Sequence, residues 1–267
     1  MIGDTSFVEY LREHAPQKLP SRLPRDPALR VDGGLRAPHG TTIIAFTWAD
    51  GVLLAGDRRA TSGNVIAQKD LEKVVVVDEF SAAGFAGSVG HALEMLKLFV
   101  AEVEQYEKLE GGPLSIEGKT RRLSTVVREN LPAAMQGFLA LPLFAGFDPT
   151  VPDPAAASWI VSYDPTGDTV RDRQGYESIG SGSVYAKSAL KKRHDPSAGR
   201  DTAVATAVEA LWDAADDDSA TGGPDLIRDL LPNLVTVTAR GTERVPDGEV
   251  RAATEHMLAR RAQRPGG

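Results

Sequence analysis

The sequence predicts a layered α+β domain in which antiparallel sheets carry pairs of helices on their outer faces. Short β-rich apolar runs occur in consecutive groups, and pairs of helical patterns separate the groups. The regular strand–helix–strand alternation that would build a doubly wound parallel sheet is missing.

The elements follow in order from Thr42. TIIAFTW and VLLAGD are apolar and β-rich, and Ala49-Asp50-Gly51 between them is a hairpin signal. KVVVV (Lys73–Val77) and Ser81–Ala86 supply two more strands. Val89 to about Lys108 reads as a helix, because Val89, Leu93, Leu96, Val100 and Val103 recur at three- and four-residue spacing. A second helix is expected over Ser115–Gln136, with Gly118 and Pro132 blurring its ends. Strands return at Leu141–Gly146, Ser158–Tyr163 and Thr169–Arg173, the last two joined by the turn DPTGD. Helices near Val184–Arg193 and Asp201–Ala215 precede a closing strand at Leu234–Ala239. Residues 241–267 are charged and end in RRAQRPGG, so a frayed tail is expected.

Residues 1–40 stand apart from this pattern. They hold five of the 17 prolines (Pro16, Pro20, Pro24, Pro27 and Pro38), the pair Gly33-Gly34 and one short helical pattern near Ser6–His14. So little apolar surface does not offset the entropy of ordering, which predicts an extended leader. The simplest division is a leader over 1–40, one domain over 41–240 and a tail over 241–267.

Composition narrows the function. The 267 residues are 42% hydrophobic and 25% charged, with a net charge of −7, an ordinary globular balance. A net acidic chain argues against nucleic acid as the main partner. The absence of cysteine removes disulfides, thiolate metal sites and a cysteine nucleophile together, and it suits a reducing compartment. No apolar run reaches bilayer length, and the acidic N-terminus lacks the apolar core of a secretory signal, so a cytoplasmic address is expected.

Several tempting motifs fail. Between Gly112 and Gly118-Lys119-Thr120 lie five residues where a phosphate-binding loop needs four, and no strand precedes them. Gly180-Ser181-Gly182 has Tyr185 at the third glycine position of a dinucleotide fingerprint. Asp216-Asp217-Asp218 lacks calcium-loop spacing. His14, His39, His91, His194 and His256 are scattered and read as surface residues, so neither a metal nor a cofactor is expected, and a hydrolase built on this chain works without a histidine base.

That leaves Gly40-Thr41-Thr42, where the leader meets the first strand. A threonine hydroxyl needs a base within reach. At a chain terminus the same residue supplies one, an α-amine with an unperturbed pKa of about 7.7–8.0, close to working pH. Inside a chain that nitrogen is an amide and cannot act as a base. Loss of residues 1–40 by cleavage of Gly40–Thr41 would liberate it, and glycine leaves the bond accessible. Asp57 closes VLLAGD and Lys73 opens KVVVV, both at the edge of apolar core. A lysine there stays charged only with a carboxylate partner. Glu72 rivals Asp57 for that partnership, but adjacent strand residues point to opposite faces.

Together TTIIAFTWADGVLLAGDRRAT, the EK before VVVV, FAGSVGHA, the GSGS of Gly180–Ser183 and DSATGG of Asp218–Gly223 resemble catalytic β subunits of the 20S proteasome. The match runs from Thr41 to about Ala239 and keeps the family's spacing from Thr41 to Asp57, Lys73 and Gly87, with an insertion before Ser181. The leader and the insertion suit the bacterial branch. The resemblance implies a four-layer αββα sandwich of two antiparallel sheets. It makes Thr41 the nucleophile, pairs Asp57 with Lys73, and assigns orientation of the amine to Ser181 and Asp218. The Gly87 N–H would form the oxyanion hole. Thr221 stands where the family usually has serine. Ala60, Thr61, Val75, Phe85, Val89 and Leu93 would line the pocket before the scissile bond, implying cleavage after hydrophobic residues. Seven-membered β rings stacked between α-subunit rings (α7β7β7α7), a regulatory ATPase and unfolded protein substrates complete the implied picture. A different N-terminal-nucleophile amidohydrolase and a non-catalytic ring subunit are the alternatives.

Overall fold

The structure is a computed structural model that describes residues 40–62 and 65–264. The short helical pattern near Ser6–His14, together with His14 and His39, lies outside the described residues.

Two five-stranded antiparallel sheets form the centre of the domain. The first has the order β10-β1-β2-β11-β12, from β1 (Thr42–Trp48), β2 (Gly51–Gly56), β10 (Tyr176–Gly180), β11 (Asn233–Thr238) and β12 (Gly241–Arg244). The second runs in sequence order through β5 (Val74–Asp78), β6 (Ser81–Gly87), β7 (Ala140–Phe147), β8 (Ser158–Tyr163) and β9 (Thr169–Arg171). A small hairpin of β3 (Ala60–Ser62) and β4 (Val65–Gln68) stands beside them.

Strand periodicity sorts the side chains into layers. Along β1, Ile43 and Ala45 pack between the sheets with Val52, Leu54, Leu143 and Val235. Their neighbours Ile44, Phe46 and Trp48 face the other way, onto helices α5 (Ser183–Arg193), α6 (Arg200–Asp217) and α7 (Asp247–Gln263). On the second sheet Phe85, Phe144 and Val161 meet α1 (Val89–Glu110) and α2 (Ile116–Glu129). Helices, sheet, sheet, helices is the αββα order that the sequence resemblance implies.

Two expectations change. The single helix over Ser115–Gln136 is interrupted: α2 stops at Asn130 and a short α3 (Leu131–Met135) starts again with Pro132 in its first turn. Proline lacks the N–H that a continuing helix would use. The described residues from Gly241 onward, up to 264, do not fray: Gly241–Arg244 form β12 and Asp247–Gln263 form α7. Val250, Thr254 and Met257 at helical spacing are buried, and the charges read as a solvated tail are paired: Arg260 with Glu209, Arg261 with Asp213, and Arg200 with Glu249 at 3.0 Å. Between the strands and helices sits one further short helix, α4 (Pro154–Ala157). No described helix is long and apolar enough to cross a membrane.

Candidate active site

The start of β1 lies against β2 on one side and β10 on the other, so Thr41 and Thr42 are fully buried where three segments meet. The closeness depends on glycine. Gly180 has φ +100°, and a Cβ there would lie 1.8 Å from the Thr41 carbonyl oxygen. Gly40 is equally constrained, since a Cβ on it would meet Ala220 Cβ at 1.7 Å. Its N–H donates to Thr61 Oγ1 at 3.1 Å, and the Thr41 hydroxyl donates to the Gly40 carbonyl at 2.7 Å.

Asp57, at the end of β2, is fully buried and accepts four hydrogen bonds from four parts of the chain. Its Oδ1 takes Thr42 N–H at 2.8 Å and Lys73 Nζ at 2.7 Å; its Oδ2 takes the N–H groups of Arg59 and Gly222, both at 2.9 Å. Lys73 is also fully buried, and its second donor contact is the Arg59 carbonyl. Among the described residues the third ammonium hydrogen has no acceptor. Burial pushes the Lys73 pKa below the ordinary lysine value, and the Asp57 charge opposes that shift. Glu72 is excluded as the partner: it faces outward and pairs with Arg244 through two bonds of 3.0 Å.

The GSGS and DSATGG segments form the other half. Ser181 N–H donates to the Thr41 carbonyl at 3.0 Å, and Ser181 Oγ donates to Asp218 Oδ2 at 2.5 Å. The Thr221 hydroxyl donates to the same carboxylate oxygen at 2.6 Å, while Ala220 N–H reaches Asp218 Oδ1 at 3.1 Å. The loop therefore winds around Asp218 at the C-terminus of α6. Its next residue, Gly222, sends its N–H to Asp57, and this joins the two halves.

Gly87 ends β6 with φ +113°, one residue before the N-cap of α1, where helix N-termini favour negative charge. The preceding residue comes close to the junction, because a Cβ on Gly180 would be 3.3 Å from Ala86 Cβ. Of the expected pocket residues, Ala60, Thr61 and Phe85 are buried, whereas Val75, Val89 and Leu93 are partly exposed against the α1 core.

The rejected motifs take other places. Lys119 of the phosphate-loop look-alike is buried and paired with Asp78. The reading of all histidines as surface residues needs amendment at His194, which is partly buried and bonded through Nε2 to the Thr47 carbonyl at 2.9 Å. Thr42, Arg59 and Gly222 are site residues that the sequence reading leaves without a role; the only signals for them are the second threonine of the Thr-Thr pair and the glycine pair after Thr221.

The family model described as "Proteasome subunit" matches residues 37–226. A proteasome subunit beta from Saccharopolyspora erythraea is 53% identical over 266 residues, covering 99% of this chain and 92% of the relative. One from Rhodococcus erythropolis is 52% identical across 96% of this chain and 88% of its own length. The Stackebrandtia nassauensis protein of the same description is 52% identical, with 100% and 94% covered. With this sandwich, a family model over most of its length and relatives at about half identity, the chain belongs to the proteasome subunit family, beside its bacterial β subunits.

Proposed function

We propose that the chain is a catalytic β subunit of the proteasome core, a threonine endopeptidase whose nucleophile, Thr41, is released by autolysis. The observation that carries the reading is that the Thr41–Thr42 peptide is held between the two clusters, its N–H on Asp57 of the Asp57–Lys73 pair and its carbonyl on Ser181 of the Ser181–Asp218–Thr221 group, while the Thr41 hydroxyl donates to the Gly40 carbonyl.

In the precursor, Thr41 Oγ adds to the Gly40 carbonyl carbon and the C–N bond breaks, leaving an ester on Oγ and a free amine on Thr41. Water then hydrolyses the ester, and residues 1–40 depart as a peptide with a Gly40 carboxylate. In the mature site the amine takes the Oγ proton as that oxygen attacks a substrate carbonyl. The Lys73 charge favours the developing alkoxide and disfavours protonation of the amine. The Gly87 N–H accommodates the oxyanion, and the leaving amine carries the proton away. Water repeats the attack on the acyl-enzyme.

Apolar Ala60, Val75, Phe85, Val89 and Leu93, with Thr61 beside them, favour cleavage after hydrophobic residues. The proposed assembly has homo-heptameric β rings between α rings (α7β7β7α7), with a regulatory ATPase acting through the α subunits to supply unfolded cytoplasmic proteins.

The test is Thr41→Ala in particles co-assembled with an α subunit. Peptides with a hydrophobic residue before the cleaved bond should be hydrolysed by the parent and not by the variant. Equal hydrolysis by both would contradict the proposal, and hydrolysis by neither would favour a non-catalytic ring subunit.

A further inference from the structure

One side chain with no role in the scheme above joins the two halves of the site. Thr42 is fully buried; its N–H donates to Asp57 Oδ1 at 2.8 Å, and its hydroxyl lies 2.6 Å from that of Thr221. We propose that Thr42 is a positioning residue, whose hydroxyl donates to Thr221 and fixes the direction of a hydroxyl chain that ends on Asp218. The inference rests on the threonine-protease reading and deepens it.

The direction follows from counting hydrogens. A hydroxyl has one proton to donate, and an ionised carboxylate has none. Thr221 spends its proton on Asp218 Oδ2 at 2.6 Å, and Ser181 spends its own on the same oxygen at 2.5 Å. The short contact between the two threonine hydroxyls is then satisfied only if Thr42 donates. The chain reads Thr42 to Thr221 to Asp218, with Ser181 entering from the other side. Gly182 protects it: a Cβ there would lie 2.4 Å from Thr42 Oγ1 and 2.6 Å from Thr221 Oγ1.

The position of Thr42 gives the chain its consequence. The peptide between Thr41 and Thr42 is clamped on both sides, its carbonyl by Ser181 N–H at 3.0 Å and its N–H by Asp57. Once Gly40 has gone, this peptide is the only covalent support of Thr41, and its plane directs the Cα–N bond of the catalytic amine. A hydroxyl that polarises Thr221 also makes Asp218 a weaker acceptor, and so lowers the tendency of the amine to hold a proton. Threonine at 221 fits this role, since a β-branched side chain has few rotamers and keeps its oxygen aimed.

The experiment compares full-length wild type, Thr42→Val and Thr42→Ser, each co-assembled with an α subunit, by chain mass, kcat, KM and the pH profile of peptide hydrolysis. Thr42→Val keeps the shape and the backbone bond to Asp57 but loses the donor. Its kcat should fall about tenfold with KM unchanged, the size of one lost hydrogen bond. The acidic limb of its profile should move to higher pH, because the amine holds its proton longer. Thr42→Ser should stay within about twofold of wild type. If Thr42→Val is not processed, leader removal becomes the readout: normal removal in Thr42→Ser supports the proposal, and a block in both overturns it. It is equally overturned by a Thr42→Val enzyme with wild-type kcat and pH profile, or by a Thr42→Ser enzyme as impaired as Thr42→Val. The protease reading fails separately, through an active Thr41→Ala particle.

Discussion

Lys73 and Lys119 are both buried, and each is paired with an aspartate, Asp57 and Asp78. What differs is the origin of the remaining donors. Those on Asp78 come from its own turn, Phe80 N–H at 3.1 Å and Ser81 Oγ at 2.5 Å, so Lys119 ties α2 to the β5–β6 hairpin. Asp57 likewise has one local donor, Arg59 N–H, but its others, Thr42 and Gly222, lie 15 and 165 residues away in sequence. A buried lysine–aspartate pair is therefore not a functional signature by itself. The long-range partners around it separate a site from a brace.

The two lysines should differ most when each is replaced. Lys73→Met should abolish processing and peptide hydrolysis, a loss of more than about a thousandfold, and leave Asp57 as an unpaired buried charge costing about 3–5 kcal/mol. Lys119→Met should destabilise the fold by about 3 kcal/mol, from the same cause, while hydrolysis per processed site stays near wild type. Thermal or denaturant unfolding beside an active-site-normalised rate measures both. If the two variants lost activity equally, the distinction would collapse.

Gly180→Ala comes next. Its new methyl would collide with the Thr41 carbonyl in a backbone conformation that disfavours side chains, so rates should fall at least about a hundredfold, with roughly 1–3 kcal/mol of destabilisation. Normal processing and turnover in that variant would show that Thr41 does not need this close approach.

The pH dependence of the Lys73 pair is a smaller effect. Because burial lowers the Lys73 pKa in the folded state, the unfolded chain binds more protons between that lowered value and the ordinary one. Stability contributed by this group therefore rises with pH through the window and is lost as pH falls through the folded value. Activity should move the opposite way, declining on the alkaline side as Lys73 loses its charge. A Lys73→Arg variant that kept the wild-type alkaline limb would assign that limb to another group. The smallest effect belongs to Glu72→Gln, which removes an exposed partner of Arg244 and should change stability by no more than about 0.5 kcal/mol.

Much of this molecule is legible from residues close in sequence. The alternation Ile43, Ile44, Ala45, Phe46 announces a strand buried on both faces, and the structure divides those four between the two layers. Parity along the chain separates Glu72 from Lys73 and so selects Asp57 as the lysine's partner, which the geometry bears out. What sequence hides is long-range compensation. The charges of α7 look solvated until Glu209 and Asp213 of α6 are brought beside them, and Arg193 meets the same two acids at 2.6 and 3.1 Å. Thr42 and Gly222 are illegible for a related reason: one contributes an amide and a hydroxyl, the other only an amide, and an amide donor carries no side-chain signature.

A single residue that supplies both hydroxyl and base requires a new chain terminus at Thr41. Intact mass of the β chain from proteolytically active particles co-assembled with an α subunit tests this most directly. The expected result is a species lacking residues 1–40, with activity proportional to its abundance. Full peptide hydrolysis by particles whose chains all retain the Gly40–Thr41 bond would contradict it.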